Sequence, residues 1–142
     1  MQAGFMDYLE LQDHIRYLES LAEADAPTVS CHLDLSSPYR QSFNVQVRAV
    51  TVGMRQQERA AFWGTLGRIE VFLDTGLHPE TKGVAIFGRG GKTPFFLALQ
   101  FDAPLPNRVR VGATPETSVL VELRDSLFTP AENGAGVLTL DA

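Results

Sequence analysis

Residues 83–101 constrain this chain more than any other stretch. Gly83-Val-Ala-Ile-Phe-Gly88 has no polar side chain. As a strand it offers no face to water, so it belongs inside a sheet covered on both sides. Gly88-Arg-Gly-Gly-Lys92 is turn chemistry. Phe95-Phe-Leu-Ala-Leu-Gln-Phe101 then returns as the second strand of a hairpin, with Phe95, Leu97, Leu99 and Phe101 on one face. A hairpin buried on both sides needs helical cover. The expected class is α+β, with a mixed, largely antiparallel sheet of four to five strands covered by helices.

The rest of the pattern supplies those parts. Leu11, Ile15, Leu18 and Ala22 recur at helical spacing within residues 5–24, where Asp7 and Glu10 are spaced to cap the start. Residues 28–35 alternate: Val29, Cys31, Leu33 and Leu35 on one side, Thr28, Ser30, His32 and Asp34 on the other. That pattern predicts a half-buried strand. Residues 42–74 return to helical spacing, with Val45, Ala49 and Val52 in one stripe and Phe62, Leu66, Ile69 and Leu73 in another. A helical hairpin turning near residues 53–58 fits, and a single long helix is the alternative. Gly64 and Gly67 fall inside the second stripe's helix and suggest close packing there. Val109 and Val111 mark a short strand, and a helix over about 115–127 starts at Thr114-Pro115. Residues 131–136 read as a linker, and Val137-Leu-Thr-Leu140 as the start of another strand.

Charge is unevenly spread over the chain's net −5. Residues 1–25 carry six acids against Arg16, whereas 40–68 carry Arg40, Arg48, Arg55, Arg59 and Arg68 against Glu58 alone. Residues 88–112 carry Arg89, Lys92, Arg108 and Arg110 against Asp102, and the C-terminal stretch is acidic again. A net negative chain is a poor general coat for nucleic acid, but a phosphate-rich partner fits if the two basic stretches meet in space. No apolar run approaches the length of a membrane helix, and the N-terminus lacks the basic start and apolar run of a signal peptide. The lone Cys31 has no internal disulfide partner and reads as a small core residue. A cytoplasmic location without membrane contact is the expectation.

No arrangement of residues predicts catalysis. Gly88-Arg-Gly-Gly-Lys-Thr93 resembles a phosphate-binding loop at its end only. Ile86 stands six residues before the lysine where a glycine is needed, and Pro94 with a strand follows where a helix is needed. His14, His32 and His78 fall on separate elements, so no metal site is expected. Ser30, His32 and Asp34 share a strand face, and a small-molecule reaction there is the remote enzymatic alternative. Side chains roughly 7 Å apart along one strand do not orient one another as a triad does. Trp63 beside Phe62 is a candidate stacking platform, but core or interface fits its spacing better. Neither a catalytic residue nor a cofactor is assigned.

A longer pattern is more specific. Thr81-Lys-Gly-Val-Ala-Ile-Phe-Gly88, the glycine turn, Phe95-Phe-Leu-Ala-Leu99 and Ala103-Pro-Leu-Pro-Asn-Arg-Val-Arg-Val-Gly112 follow in order. Together they resemble the N-terminal domain of the bacterial release-factor-like family, relatives of archaeal and eukaryotic class-one peptide release factors and of Pelota. The strand at Val29 and the helical segment ending Leu66-Gly-Arg-Ile-Glu-Val-Phe-Leu73 stand where that domain has its first strand and hairpin. The resemblance implies a domain over residues 1–130 that reaches the small-subunit decoding site. Residues 131–142 would begin a second domain, with the chain either a fragment or a natural one-domain protein. The chain has neither the Gly-Gly-Gln of peptide release nor the Asn-Ile-Lys-Ser of stop-codon reading, and its hairpin tip would lie at Gly53-Met-Arg-Gln-Gln57. The implied function is association with the ribosome, in rescue, termination or hibernation. Arg48, Arg55, Arg59 and Arg89 would contact rRNA phosphate. The second reading is a protein–protein module or homodimer through Phe62, Trp63 and residues 95–101.

Overall fold

In the computed structural model, which describes residues 6–128, the element order is α1 (Tyr8–Ser20), β1 (Thr28–Asp34), α2 (Tyr39–Thr51), α3 (Gln56–Thr75), β2 (Gly83–Arg89), β3 (Phe95–Phe101), β4 (Arg108–Gly112) and α4 (Ser118–Phe128). Two units can be distinguished, one over Leu21–Glu116 and one that, among the described residues, joins Met6–Ser20 to 117–128.

The first unit is built on a four-stranded sheet ordered β3-β2-β1-β4. Each of its pairings is antiparallel: β1 with β2, β1 with β4, and β2 with β3. The sequence expectation of a mixed sheet thus resolves into an antiparallel one. The apolar run 83–89 is a central strand and is buried along its whole length.

β1 departs from expectation. Its alternation predicts one wet face, yet Thr28, Ser30 and His32 are buried as fully as Val29, Cys31 and Leu33. A strand with neighbours on both edges and cover on both faces exposes nothing, whatever its polarity. Its polar side chains must then find partners inside the protein. Ser30 does so, its Oγ accepting the Glu116 N–H at 2.9 Å. That bond also holds residue 116 out of the last helix, which starts at Ser118 rather than at Pro115.

α2 and α3 lie on one face of the sheet. Phe43 and Val47 of α2 and Phe62, Leu66, Ile69 and Leu73 of α3 form one core with Val29, Cys31, Leu33, Val84, Ile86 and Val109. The hairpin alternative is the one realised, with the chain turning between Thr51 and Gln56. Gln46 of α2 clamps β4 to this face: its Nε2 donates to the Asn107 carbonyl at 2.8 Å and its Oε1 accepts the Val109 N–H at 2.7 Å.

The glycine that lets α3 approach the sheet is Gly88, where an added Cβ would lie 2.9 Å from the Thr65 methyl and 3.1 Å from the Phe96 ring. Gly64 and Gly67 have no such role. A Cβ on either meets nothing within 4 Å, so the close packing expected of them is absent among the described residues.

In the second unit, α1 opens with a reciprocal cap: Asp7 N–H donates to Glu10 Oε1 at 3.0 Å and Glu10 N–H to Asp7 Oδ1 at 2.9 Å. Leu11, Ile15 and Leu18 of α1 and Val119 and Leu120 of α4 are buried. Arg124 Nη1 donates to Gln12 Oε1 across the pair at 2.6 Å. The linker and strand anticipated over residues 131–142 lie outside the described residues.

Candidate nucleic-acid interface

The end of the sheet-bound helices where α2 gives way to α3 is cationic. Arg48 occupies the last turn of α2, Arg55 directly precedes α3 and Arg59 stands in its first turns; all three are exposed. Among the described residues none of the three belongs to an ion pair. Arg59 Nη2 donates to the Thr51 carbonyl at 3.2 Å, which tethers the guanidinium across the turn. The only nearby acid on α3, Glu58, accepts the Arg55 backbone N–H at 3.2 Å and so is occupied in closing the turn.

The other two arginines of this stretch are committed elsewhere. Arg40 pairs with Asp74, and Arg68 lies over the Phe96 ring at 4.5 Å. The Arg40 guanidinium is held further above its ordinary range by the hydrogen bond to Asp74.

β4 brings one residue of the second basic stretch, Arg110, to a cleft that the helical turn also lines. Arg110 is exposed and lines a cleft of about 540 Å³, with residues 24–27 on one side and Val50, Gly53, Met54 and Glu58 of the helical turn on the other. Of the second basic stretch only Arg110 lines this cleft, and the charged residue that the helical turn contributes to the lining is Glu58. Sequence reasoning counted this residue in its stretch but not in the site. Arg108, two residues earlier, is half-buried and stands 3.7 Å from Glu116.

Arg89 does not join the group. It is 4% exposed, and its guanidinium is used internally: Nε donates to the Thr93 carbonyl at 3.1 Å, and Nη1 to the Ala22 carbonyl at 3.0 Å and to Thr28 Oγ1 at 3.4 Å. Phe95 lies under it at 5.2 Å. Position next to a glycine turn suggests exposure, but β2 extends through Arg89 in register with Phe95, on a buried face. A phosphate has no access to it.

The glycine turn itself is no anion site. Gly91 has φ of 79°, the left-handed region that a hairpin turn needs, and the Lys92 N–H donates to Asp25 Oδ1 at 3.2 Å. A carboxylate already sits where a phosphate would go.

The strand face considered for a reaction is equally closed. His32 is fully buried, and neither ring nitrogen has a hydrogen-bond partner among the described residues. Its ring meets Phe87 edge-on at 5.5 Å. Burial lowers its pKa to about 4; the Glu116 carboxylate opposes that shift and Arg108 adds to it. Ser30 is occupied by Glu116, and Asp34 Oδ1 accepts from the Ser36 N–H and hydroxyl. The three side chains make no relay.

Cys31 is buried in the core, where loss of hydration pushes the thiol up to about 12. Among the described residues no three His, Cys, Asp or Glu side chains cluster as metal ligands, and no helix is long and apolar enough to cross a membrane.

Of the two expectations for Trp63, core or interface, its exposure excludes only the first. Phe62 is buried as expected, but Trp63 is 51% exposed and leans on Phe62 edge-on, with ring centroids 5.3 Å apart and planes at 62°. Adjacent helical positions diverge by about 100°, so only one of two neighbouring aromatics can point straight into the core.

No protein-family model and no curated protein matches the chain. Among solved structures, it is similar to a crystal structure of the archaeal translation termination factor aRF1, with a TM-score of 0.67 and 14% identity over 87% of this chain. It is also similar to an archaeal protein, with a TM-score of 0.66 and 14% identity over 85% of this chain. The chain spans 36% of the length of each. At that identity the likeness shows the fold alone, an α+β architecture that the chain shares with part of each of these structures.

Proposed function

We propose that this domain associates with the ribosome as the N-terminal part of a release-factor-like protein, and that Arg48, Arg55 and Arg59 bind rRNA phosphate. The observation that carries this reading is the concentration at one end of the α2–α3 hairpin of three exposed arginines that belong to no ion pair among the described residues. A cationic projection of this kind neutralises several phosphates at once and reads no base sequence. The fold likeness to a translation termination factor supports a place in translation. The residues present carry no Gly-Gly-Gln, so binding, rather than peptide release, is the role proposed for them.

Sedimentation with 70S ribosomes and separated subunits, at low and moderate salt, tests the reading. Salt-sensitive co-pelleting with the small subunit is expected, each neutralised phosphate adding roughly 0.7–0.9 to the log–log salt slope. Arg55→Glu with Arg59→Glu lowers the affinity and flattens that slope. Unchanged pelleting of the double variant rejects the assignment.

Self-association is the second reading. It has two observations in its favour: Trp63 is exposed, and β3 is terminal in the sheet among the described residues. Phe62, being buried, plays no part in it. A monomer mass independent of concentration in sedimentation equilibrium removes this reading.

A further inference from the structure

Along α3 the positions Arg55, Arg59, Trp63, Gly67 and Val71 recur every four residues and so form one ridge that starts at the cationic turn. Trp63 is 51% exposed and Val71 62%. Buried Phe62 supports the indole edge-on, so the ring is held rather than left to swing freely.

The surface beside the indole is bare backbone. Gly64 and Gly67 would each carry a Cβ into open space, so no packing within the described residues accounts for either. The acids of α3 nearest the indole along the helix are Glu58, whose carboxylate accepts the Arg55 N–H, and Glu70, exposed two turns beyond Trp63. A fixed, half-exposed aromatic, a cation one helical turn away, and clear space alongside make a surface for a polyanion whose bases unstack. That partner chemistry is single-stranded RNA.

We propose that Trp63 is a base-stacking platform: an unpaired nucleotide stacks on the exposed indole while the adjoining phosphate reaches Arg59. This rests on the rRNA-binding reading above and adds two properties to it, a non-ionic contact and a preference for unpaired over duplex RNA. Stacking is insensitive to salt, whereas the arginine contacts are not. The two contributions therefore separate experimentally.

Trp63 is the chain's only tryptophan, so its fluorescence reports this position alone. The full chain is titrated with single-stranded oligoadenylate of about ten nucleotides and with a duplex of equal length, binding being followed independently by RNA anisotropy. The single strand is expected to quench the indole at saturation, and the duplex to leave it largely unquenched. Trp63→Ala is expected to weaken single-strand binding roughly ten- to a hundredfold with the salt slope unchanged, and Trp63→Phe to retain most of the affinity. Arg55→Glu with Arg59→Glu changes the slope instead.

Wild-type affinity for Trp63→Ala, towards both the oligonucleotide and the small subunit, overturns the stacking proposal. If the arginine variants still lose affinity, the rRNA reading survives that failure. Absence of both RNA binding and ribosome pelleting overturns both. An indole emission that shifts with protein concentration and ignores RNA also overturns it, assigning the face to a second copy of the chain.

Discussion

The buried imidazole of His32 makes the stability of this domain depend on pH through one identifiable group. Its folded pKa of about 4 lies below the ordinary value near 6.5, with burial as the main cause. A depressed histidine pKa means that the unfolded chain takes up the proton first. Stability is therefore complete above about pH 7 and is lost as pH falls through the window between the two values. Linkage puts the loss at about 1 kcal/mol at pH 6, about 2 at pH 5 and about 3 at pH 4. Carboxylates titrate near the lower end of that window, so the wild-type curve alone does not isolate the effect. His32→Phe does, since it keeps a ring against Phe87 and removes two ring nitrogens that have no partner among the described residues. Urea unfolding of both proteins between pH 4 and pH 7.5 gives the difference curve. The variant is expected to gain about 2 kcal/mol on the wild type between pH 7 and pH 5. A difference that stays flat over that interval refutes the reasoning, because it means that the imidazole is protonated, or solvated, in the folded protein.

Three further outcomes follow from the packing. Gly64→Ala and Gly67→Ala should each raise stability by up to about 1 kcal/mol, whereas Gly88→Ala, whose Cβ would press on Thr65, should lower it by about 1–3 kcal/mol; urea midpoints decide. Arg89→Met should cost about 2–3 kcal/mol in the same assay by orphaning the Ala22 and Thr93 carbonyls, while the folded variant keeps wild-type affinity for ribosomes. Cys31, buried with its thiol near 12, should resist a thiol-specific reagent at pH 8 in native buffer and react at once in denaturant; rapid native labelling would place it at the surface.

How much of the candidate site was legible varied residue by residue. The exposure of Arg48, Arg55 and Arg59 agrees with what charge clustering suggests, because a local excess of cations near a helical turn has few ways of being buried. Arg89 was misjudged for a reason that no composition reveals: its strand is longer by one residue than the apolar run, and the added position faces inward. Arg110 was visible only as a member of a basic stretch. Its place beside the helical turn depends on β4 pairing with β1, a partner some eighty residues away in sequence.

Periodicity by itself determined the elements. Runs with period 2 or period 3.6 commit a backbone locally, so the hairpin at 83–101, the helices over 42–74 and the α+β class were all readable from spacing. What faces solvent is a different kind of quantity, because burial depends on what long-range pairing stacks against each face. β1 has the alternation of a surface strand and lies in the interior, its histidine neutralised by the sheet around it. The glycines of α3 have the spacing of a packed helix and meet nothing among the described residues, and the tryptophan beside them, which reads as core or interface, is half exposed. Local pattern chose the secondary structure; tertiary pairing decided which residues remain free to bind.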